Sequence, residues 1–181
     1  MKVYLFLAEG FEEIEAIAPI DIFRRADIEV ITVSVKNELA VTGAHGVTVL
    51  ADKLFADVDF SGNDLLFLPG GLPGTTNLDK HEGLRKLIKN QVLSGEKIAA
   101  ICAAPSILGK MELLKGQEAI CYPGFENLLI GARISDKKIV KSGNVYTAKA
   151  AGVAIQFALK LVEELKGKEV AENISKAIFL D

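Results

Sequence analysis

The chain of 181 residues contains few of the side chains that build metal sites and covalent cross-links. It has two cysteines, two histidines and no tryptophan, and Cys102 and Cys121 form no C-x-x-C pair. This inventory argues against a structural zinc site and against a disulfide framework, so we expect no metal. Two separate thiols fit a reducing compartment, and a cytoplasmic location is therefore expected.

Long apolar runs and basic clusters are also missing. The first apolar run, residues 3–7, is followed by Glu9 and is too short for a signal-peptide core, and no run approaches the ~20 residues of a membrane span. Lysine and arginine number 21 against 24 acidic residues, which gives a net charge of −3, and they are scattered. We therefore expect neither a membrane nor a nucleic acid as partner.

What the chain does contain is an alternation of short apolar runs and longer amphipathic segments. Half of its residues are apolar, and the alternation is typical of an α/β fold with a mainly parallel sheet. No repeat or linker interrupts it, so we expect a single domain over residues 1–181. The predicted strands are 2–7, 28–35, 64–68, 97–101 and 117–121, the predicted hairpins 39–50 and 139–148, and the predicted helices 11–26, 82–93, 103–114, 151–166 and 169–178.

Cys102 is the first candidate for chemistry, because it stands where an apolar strand meets a helix pattern. Ala100 and Ala104 supply the small neighbours that a sharp nucleophile elbow requires. Amides at the start of the helix, beginning with Ala103, would favour the thiolate, so we expect a pKa below the free value of ~8.5. The alternative is a buried cysteine that packs as a small hydrophobic residue.

Glu15 is the second candidate. At 100° per residue it falls among the apolar positions of the first predicted helix, whereas Glu13 and Arg24 fall on the opposite face, where we expect them in solvent. A carboxyl held against apolar surface has a raised pKa and can act as a general acid or base. The alternative is a first-turn acid that complements the helix dipole.

Gly70 and Gly71 follow the predicted strand 64–68, where their amides could approach an oxyanion, although a tight turn is the more common explanation of such a pair. The segment lacks the G-K-[ST] ending of a phosphate loop. His45 lies in a predicted hairpin turn and His81 just before a helix, so solvated or capping roles are expected for both. No histidine follows Cys102 in the chain.

Three segments together resemble the ThiJ/PfpI superfamily, in the branch of the parkinsonism-associated protein deglycase. They are residues 9–21 (EGFEEIEAIAPID), 68–71 (LPGG) and 99–105 (AAICAAP). The resemblance implies a flavodoxin-like sandwich with helices on both faces of the sheet, assembled as a homodimer with the first helix near the interface. It also implies that Cys102 is a redox-sensitive nucleophile, that Glu15 is its buried acid, and that Gly71 and Ala103 supply amides for an oxyanion.

The function implied by the resemblance is that of a glyoxalase or deglycase that acts on methylglyoxal or early glycation adducts with no cofactor. The alternative is a non-enzymatic redox sensor or redox-regulated chaperone that is switched by oxidation of Cys102. Tyr122 stands where the branch commonly has a histidine, so it is a possible substrate contact. Ala103 replaces the histidine that follows the nucleophile in peptidase-like members, and peptidase activity is therefore not expected.

Overall fold

A seven-stranded sheet forms the middle layer of the protein, in a computed structural model that describes residues 1–180. The strands are β1 (Lys2–Leu7), β2 (Glu29–Ser34), β3 (Ala40–Thr42), β4 (Thr48–Leu50), β5 (Lys53–Leu54), β6 (Leu65–Leu68), β7 (Lys97–Ile101), β8 (Glu118–Ala119), β9 (Arg133–Ile134), β10 (Ile139–Ser142) and β11 (Val145–Ala148). The helices are α1 (Glu13–Arg25), α2 (Gly74–Lys80), α3 (Glu82–Leu93), α4 (Pro105–Lys110), α5 (Ala154–Lys166) and α6 (Lys168–Ala177).

The strand order of the central sheet is β10-β11-β7-β6-β1-β2-β5, and every pairing is parallel except that of β10 with β11. In β6 all four residues are buried, as expected for a strand covered on both faces. Alternate residues of β1 divide between two core clusters: Val3 and Leu5 pack with α1 and α5, whereas Tyr4 and Phe6 pack with α3 and α4. The mainly parallel sheet between two helical layers confirms the predicted flavodoxin-like α/β class.

Several predicted elements differ from those observed. Segment 117–121 contributes only β8, which pairs with β9 in a separate two-stranded sheet. The helix predicted over 103–114 is shortened to α4, and just beyond it Glu112 adopts a left-handed φ of 56°. Helix α2 and strand β5 were not predicted, since one begins in a glycine-rich segment and the other has two residues.

Among the helices within residues 1–180, none has both the length and the apolar character that crossing a bilayer would require.

Candidate active site

Cys102 lies in a sharp turn between β7 and α4. Its φ of 64° is in the left-handed region, which costs a residue with a side chain roughly 1 kcal/mol. Two backbone hydrogen bonds hold the turn: Cys102 N donates to Ala148 O over 2.9 Å, and Tyr122 N donates to Cys102 O over 2.8 Å. The sharp turn expected from the small residues around Cys102 is therefore present, and its side chain is half-buried.

Glu15 lies in the first turn of α1 and is fully buried. Helix α1 begins at Glu13 because the preceding residue, Glu12, caps it: the Glu12 carboxylate accepts a hydrogen bond from Glu15 N over 2.7 Å. The amide of Gly70 donates to Glu15 Oε2 over 2.9 Å. Within residues 1–180, no donor meets hydrogen-bond geometry at Oε1, but the Cys102 thiol and the Ala151 amide lie close enough to the carboxyl to act to lower the pKa of Glu15.

Gly70 brings the two candidates together. A β-carbon added at this position would lie 2.6 Å from Glu15 Oε2 and 2.7 Å from the β-carbon of Cys102, both far inside van der Waals contact. Only a residue without a side chain therefore fits between the acid and the thiol. The glycines after β6 do more than form a turn, since Gly70 sets the spacing between Glu15 and Cys102.

Burial decides the protonation of this pair. It raises the pKa of Glu15 to about 7, while the neighbouring Cys102 thiol and the Gly70 amide act in the opposite direction. Burial also raises the pKa of Cys102 to about 12, and the charge of Glu15 adds to the increase. The amides of Ala103 and Gly71 act to lower it, as expected from the sequence, but they are outweighed. The prediction of a lowered cysteine pKa is therefore wrong, because a helix-start pattern does not reveal burial beside a carboxylate.

The helical phase predicts that Glu13 lies in solvent, and this prediction is wrong because the residue is buried. Its carboxylate accepts hydrogen bonds from the backbone and ring of His45, at 2.7 and 2.9 Å. Together with Glu12 these residues place three possible metal-ligand atoms within 4.8 Å of one another. The hydrogen bonds from His45 account for the arrangement without an ion. Arg24 is exposed as predicted.

The remaining candidates lie at different distances from the pair. Tyr122 donates its backbone N–H to Cys102 O, and the residue is 47% exposed. Its contact with a substrate stays a prediction. His81 accepts a hydrogen bond from Leu84 N and caps α3, in agreement with the predicted capping role.

A groove of about 380 Å³ between α5 and α6 is lined by residues such as Leu159 and Ala171 and is separate from Cys102.

A parallel α/β sandwich with a cysteine at a strand-to-helix turn, and a buried carboxyl beside it, defines a class of cysteine-centred α/β proteins. Within that class, residues 1–164 match the DJ-1/PfpI family, and the chain belongs to this family. The resemblance that the three sequence segments carry is thereby confirmed.

Relatives of this chain include proteins from a plant, a nematode and a parasite. Protein DJ-1 homolog B of Arabidopsis thaliana is 39% identical over 176 residues, covering 96% of this chain but only 40% of the relative, so the chain spans less than half of that protein. The glutathione-independent glyoxalase DJR-1.2 of Caenorhabditis elegans is 33% identical over 173 residues, covering 95% and 92%. The structure of oxidized Toxoplasma gondii DJ-1 superposes with a TM-score of 0.94 at 36% identity, covering 98% and 97%.

Proposed function

We propose that the protein is a cofactor-independent glyoxalase or deglycase that converts methylglyoxal, or the early adducts it forms on proteins, into a hydroxy acid. The observation that carries this proposal is that the Glu15 carboxyl and Cys102 both lie against Gly70, with the thiol close enough to the carboxyl to influence its pKa. A carboxyl with a pKa of about 7 is a general base matched to neutral pH. The name of the nematode relative, a glutathione-independent glyoxalase, supports the same substrate class.

In the first step, Cys102 attacks the aldehyde carbon of the substrate. The raised pKa of Cys102 means that the sulfur rests as a thiol, so its proton must leave as the bond forms. Glu15 accepts that proton while the sulfur–carbon bond forms and the carbonyl π bond breaks. The amides of Gly71 and Ala103, which face the sulfur, bind the oxygen that becomes negative. Return of the proton from Glu15 to this oxygen gives a hemithioacetal.

In the second step, Glu15 moves a proton between the two carbons of the substrate. It removes the hydrogen from the carbon bonded to sulfur as a proton, and the electrons of that bond form a carbon–carbon double bond while the carbonyl π electrons pass to the second oxygen. The proton is then returned to the second carbon, and the hydroxyl proton of the first carbon moves to the second oxygen, which leaves a thioester. The first carbon is oxidised and the second is reduced, so no external oxidant or cofactor is needed. Water then cleaves the resulting thioester, which releases lactate from methylglyoxal and restores the thiol.

The direct test is turnover of methylglyoxal by the purified chain, followed as loss of substrate and appearance of lactate. We expect Cys102→Ser to abolish turnover and Glu15→Gln to reduce it at least ~100-fold, in the range of lost general-base catalysis. Cys121→Ser is the matched control, since it makes the same change at the other cysteine, which packs with Leu108 and Val145. Absence of turnover in the wild-type chain would reject the enzymatic proposal.

A redox role of the same cysteine is the second candidate function. Cys102 is half-buried whereas Cys121 is 1% exposed, so peroxide has better access to Cys102. A protonated Glu15 can donate a hydrogen bond to an oxygen added to the sulfur. One solved relative is named as an oxidized form. A chain that does not turn over methylglyoxal, but whose binding to a partner protein changes when Cys102 is oxidised, would support this redox function.

We also infer a homodimer formed through α1 and the β3–β4 hairpin. Ile14 and Ile17 on α1 and Leu50 on the hairpin are exposed, and a groove of about 340 Å³ lies between the two elements. Clustered exposed apolar side chains of this kind mark association surfaces. A second copy of the chain is the proposed occupant.

A further inference from the structure

The carboxylate of Glu13 is bound by the turn of the β3–β4 hairpin. Its Oε1 accepts hydrogen bonds from His45 N over 2.7 Å and from Val47 N over 3.4 Å, and its Oε2 contacts His45 Nδ1 at 2.9 Å. Burial acts to raise the pKa of Glu13, but these hydrogen bonds hold it below its usual value. Glu13 is therefore a buried, charged anchor and not a solvated first-turn acid.

The hairpin turn has a backbone shaped to this anchor. A β-carbon at Gly43 would lie 2.4 Å from Glu13 Oε1. A side chain at position 43 would therefore displace the Glu13 carboxylate from its place under the turn. Gly46, three positions further on, has open space at its β-carbon position, so the close approach is specific to Gly43.

The same hairpin also holds the segment that leads into α1. Gly10 N donates to Thr42 O over 2.8 Å, and Ala44 N donates to Phe11 O over 2.7 Å. On the other side of this segment, Glu12 N donates to Gly70 O over 3.0 Å. The start of α1 is thus fixed between the hairpin turn and the glycines after β6, and Glu15 is two residues beyond Glu13 in this same turn of helix.

We propose that Glu13 is a positioning residue for the Glu15–Cys102 pair, and that the hairpin turn 43–47 is the element through which it acts. Within residues 1–180, the hydrogen bonds of the Glu13 carboxylate go to His45 and Val47 of the hairpin turn and not to Cys102. It fixes the first helical turn so that the Glu15 carboxyl meets Gly70 and Cys102. This inference rests on the proposed function for its consequence in catalysis, but the geometry it describes can be tested without turnover.

The test uses alkylation of Cys102 by iodoacetamide as a function of pH, with Cys121→Ser as background so that one thiol reports. We expect Glu13→Ala to shift the pH midpoint of the alkylation rate at least roughly halfway from the wild-type value toward the value of Glu15→Gln. Glu13→Gln should retain the wild-type profile, because its amide can accept from both backbone donors and donate to neutral His45. Gly43→Ala should reproduce the effect of Glu13→Ala without removing any titratable group, whereas Gly46→Asn should not.

A double variant separates positioning from general destabilisation. If Glu13 acts through Glu15, Glu13→Ala changes the alkylation profile no further in a Glu15→Gln background. An unchanged profile in folded Glu13→Ala, or an equal additional shift in the double variant, would overturn the proposal. Should Glu13→Ala fail to fold, Gly43→Ala against Gly46→Asn decides the same question. Because the readout is alkylation, a wild-type chain without methylglyoxal turnover would reject the enzymatic function and leave this test intact.

Discussion

Gly70 donates its amide hydrogen to Glu15 Oε2 over 2.9 Å, so the loop after β6 directly contacts the first turn of α1. This bond would be an ordinary loop contact if Cys102 were not packed against the other side of the same glycine. As it is, three segments that are far apart in the sequence meet at one residue, and the chemistry proposed for the protein depends on their meeting.

The first prediction concerns the space at Gly70. Gly70→Ala places a methyl group against both the Glu15 carboxyl and Cys102, so one of them must move. We expect loss of methylglyoxal turnover by tenfold or more, as estimated for a displaced catalytic group, and a free energy of unfolding lowered by about 2 kcal/mol. Denaturant unfolding and initial rates measure the two effects.

Gly152→Ala is the control for this change, because it adds the same methyl group where nothing lies within 4 Å. Equal effects of the two substitutions would mean that the contact at Gly70 has no special role.

The second prediction concerns oxidation. Cys102 packs against the core cluster that contains α1 and α5, whereas Cys121 belongs to the cluster that contains α3 and α4. Cys102 is also half-buried whereas Cys121 is 1% exposed, so peroxide has better access to Cys102. We expect mild peroxide to add oxygen to Cys102 alone and to leave Cys121 as a thiol. Peptide mass spectrometry checks this, and a Cys102–Cys121 disulfide would contradict it.

The positions of the catalytic candidates could be predicted because they follow from local pattern. The strand 97–101 is apolar from Ile98 onward, and the small residues around Cys102 indicate a sharp turn. Glu15 is identified by its helical phase among apolar positions. These features depend on residues within a few positions of each other, which is the range over which sequence pattern is informative.

Protonation and long-range anchoring could not be predicted in this way. The pKa of Cys102 depends on burial and on Glu15, which is 87 positions earlier in the chain. Glu13 is buried only because the hairpin turn folds over it, a contact that helical phase does not contain. Strand β5 has two residues and owes its pairing to β2, so no periodicity marks it.

The third prediction follows from the raised pKa of Glu15. A carboxyl whose pKa rises from 4.5 to about 7 on folding favours the folded state in its protonated form. Its stabilising contribution is complete below the unfolded pKa and is lost as the pH rises through about 7. We expect Glu15→Gln to gain stability relative to wild type between pH 5 and 8, on the order of 3 kcal/mol. If the free energies of unfolding of Glu15→Gln and wild type keep the same difference from pH 5 to 8, the cost of burying the charged Glu15 is contradicted.

The fourth prediction concerns assembly. Ile17→Lys places a charge in the exposed apolar face of α1, and we expect it to convert a dimer to a monomer in sedimentation or light-scattering measurements. Leu93→Lys is the matched control, because Leu93 is also exposed but ends α3. A wild-type chain that is monomeric at micromolar concentration would remove the basis of this prediction.

The most direct test of the account is the pH dependence of Cys102 alkylation in Cys121→Ser and in Cys121→Ser/Glu15→Gln. If Glu15 is the proton acceptor of the pair, the rate rises with a midpoint of about 7 when Glu15 is present, and this step disappears in Glu15→Gln. The remaining reactivity then increases only toward the high pKa of the buried thiol. Identical profiles in the two proteins, with a single midpoint near the free-thiol value of ~8.5, would contradict the central claim.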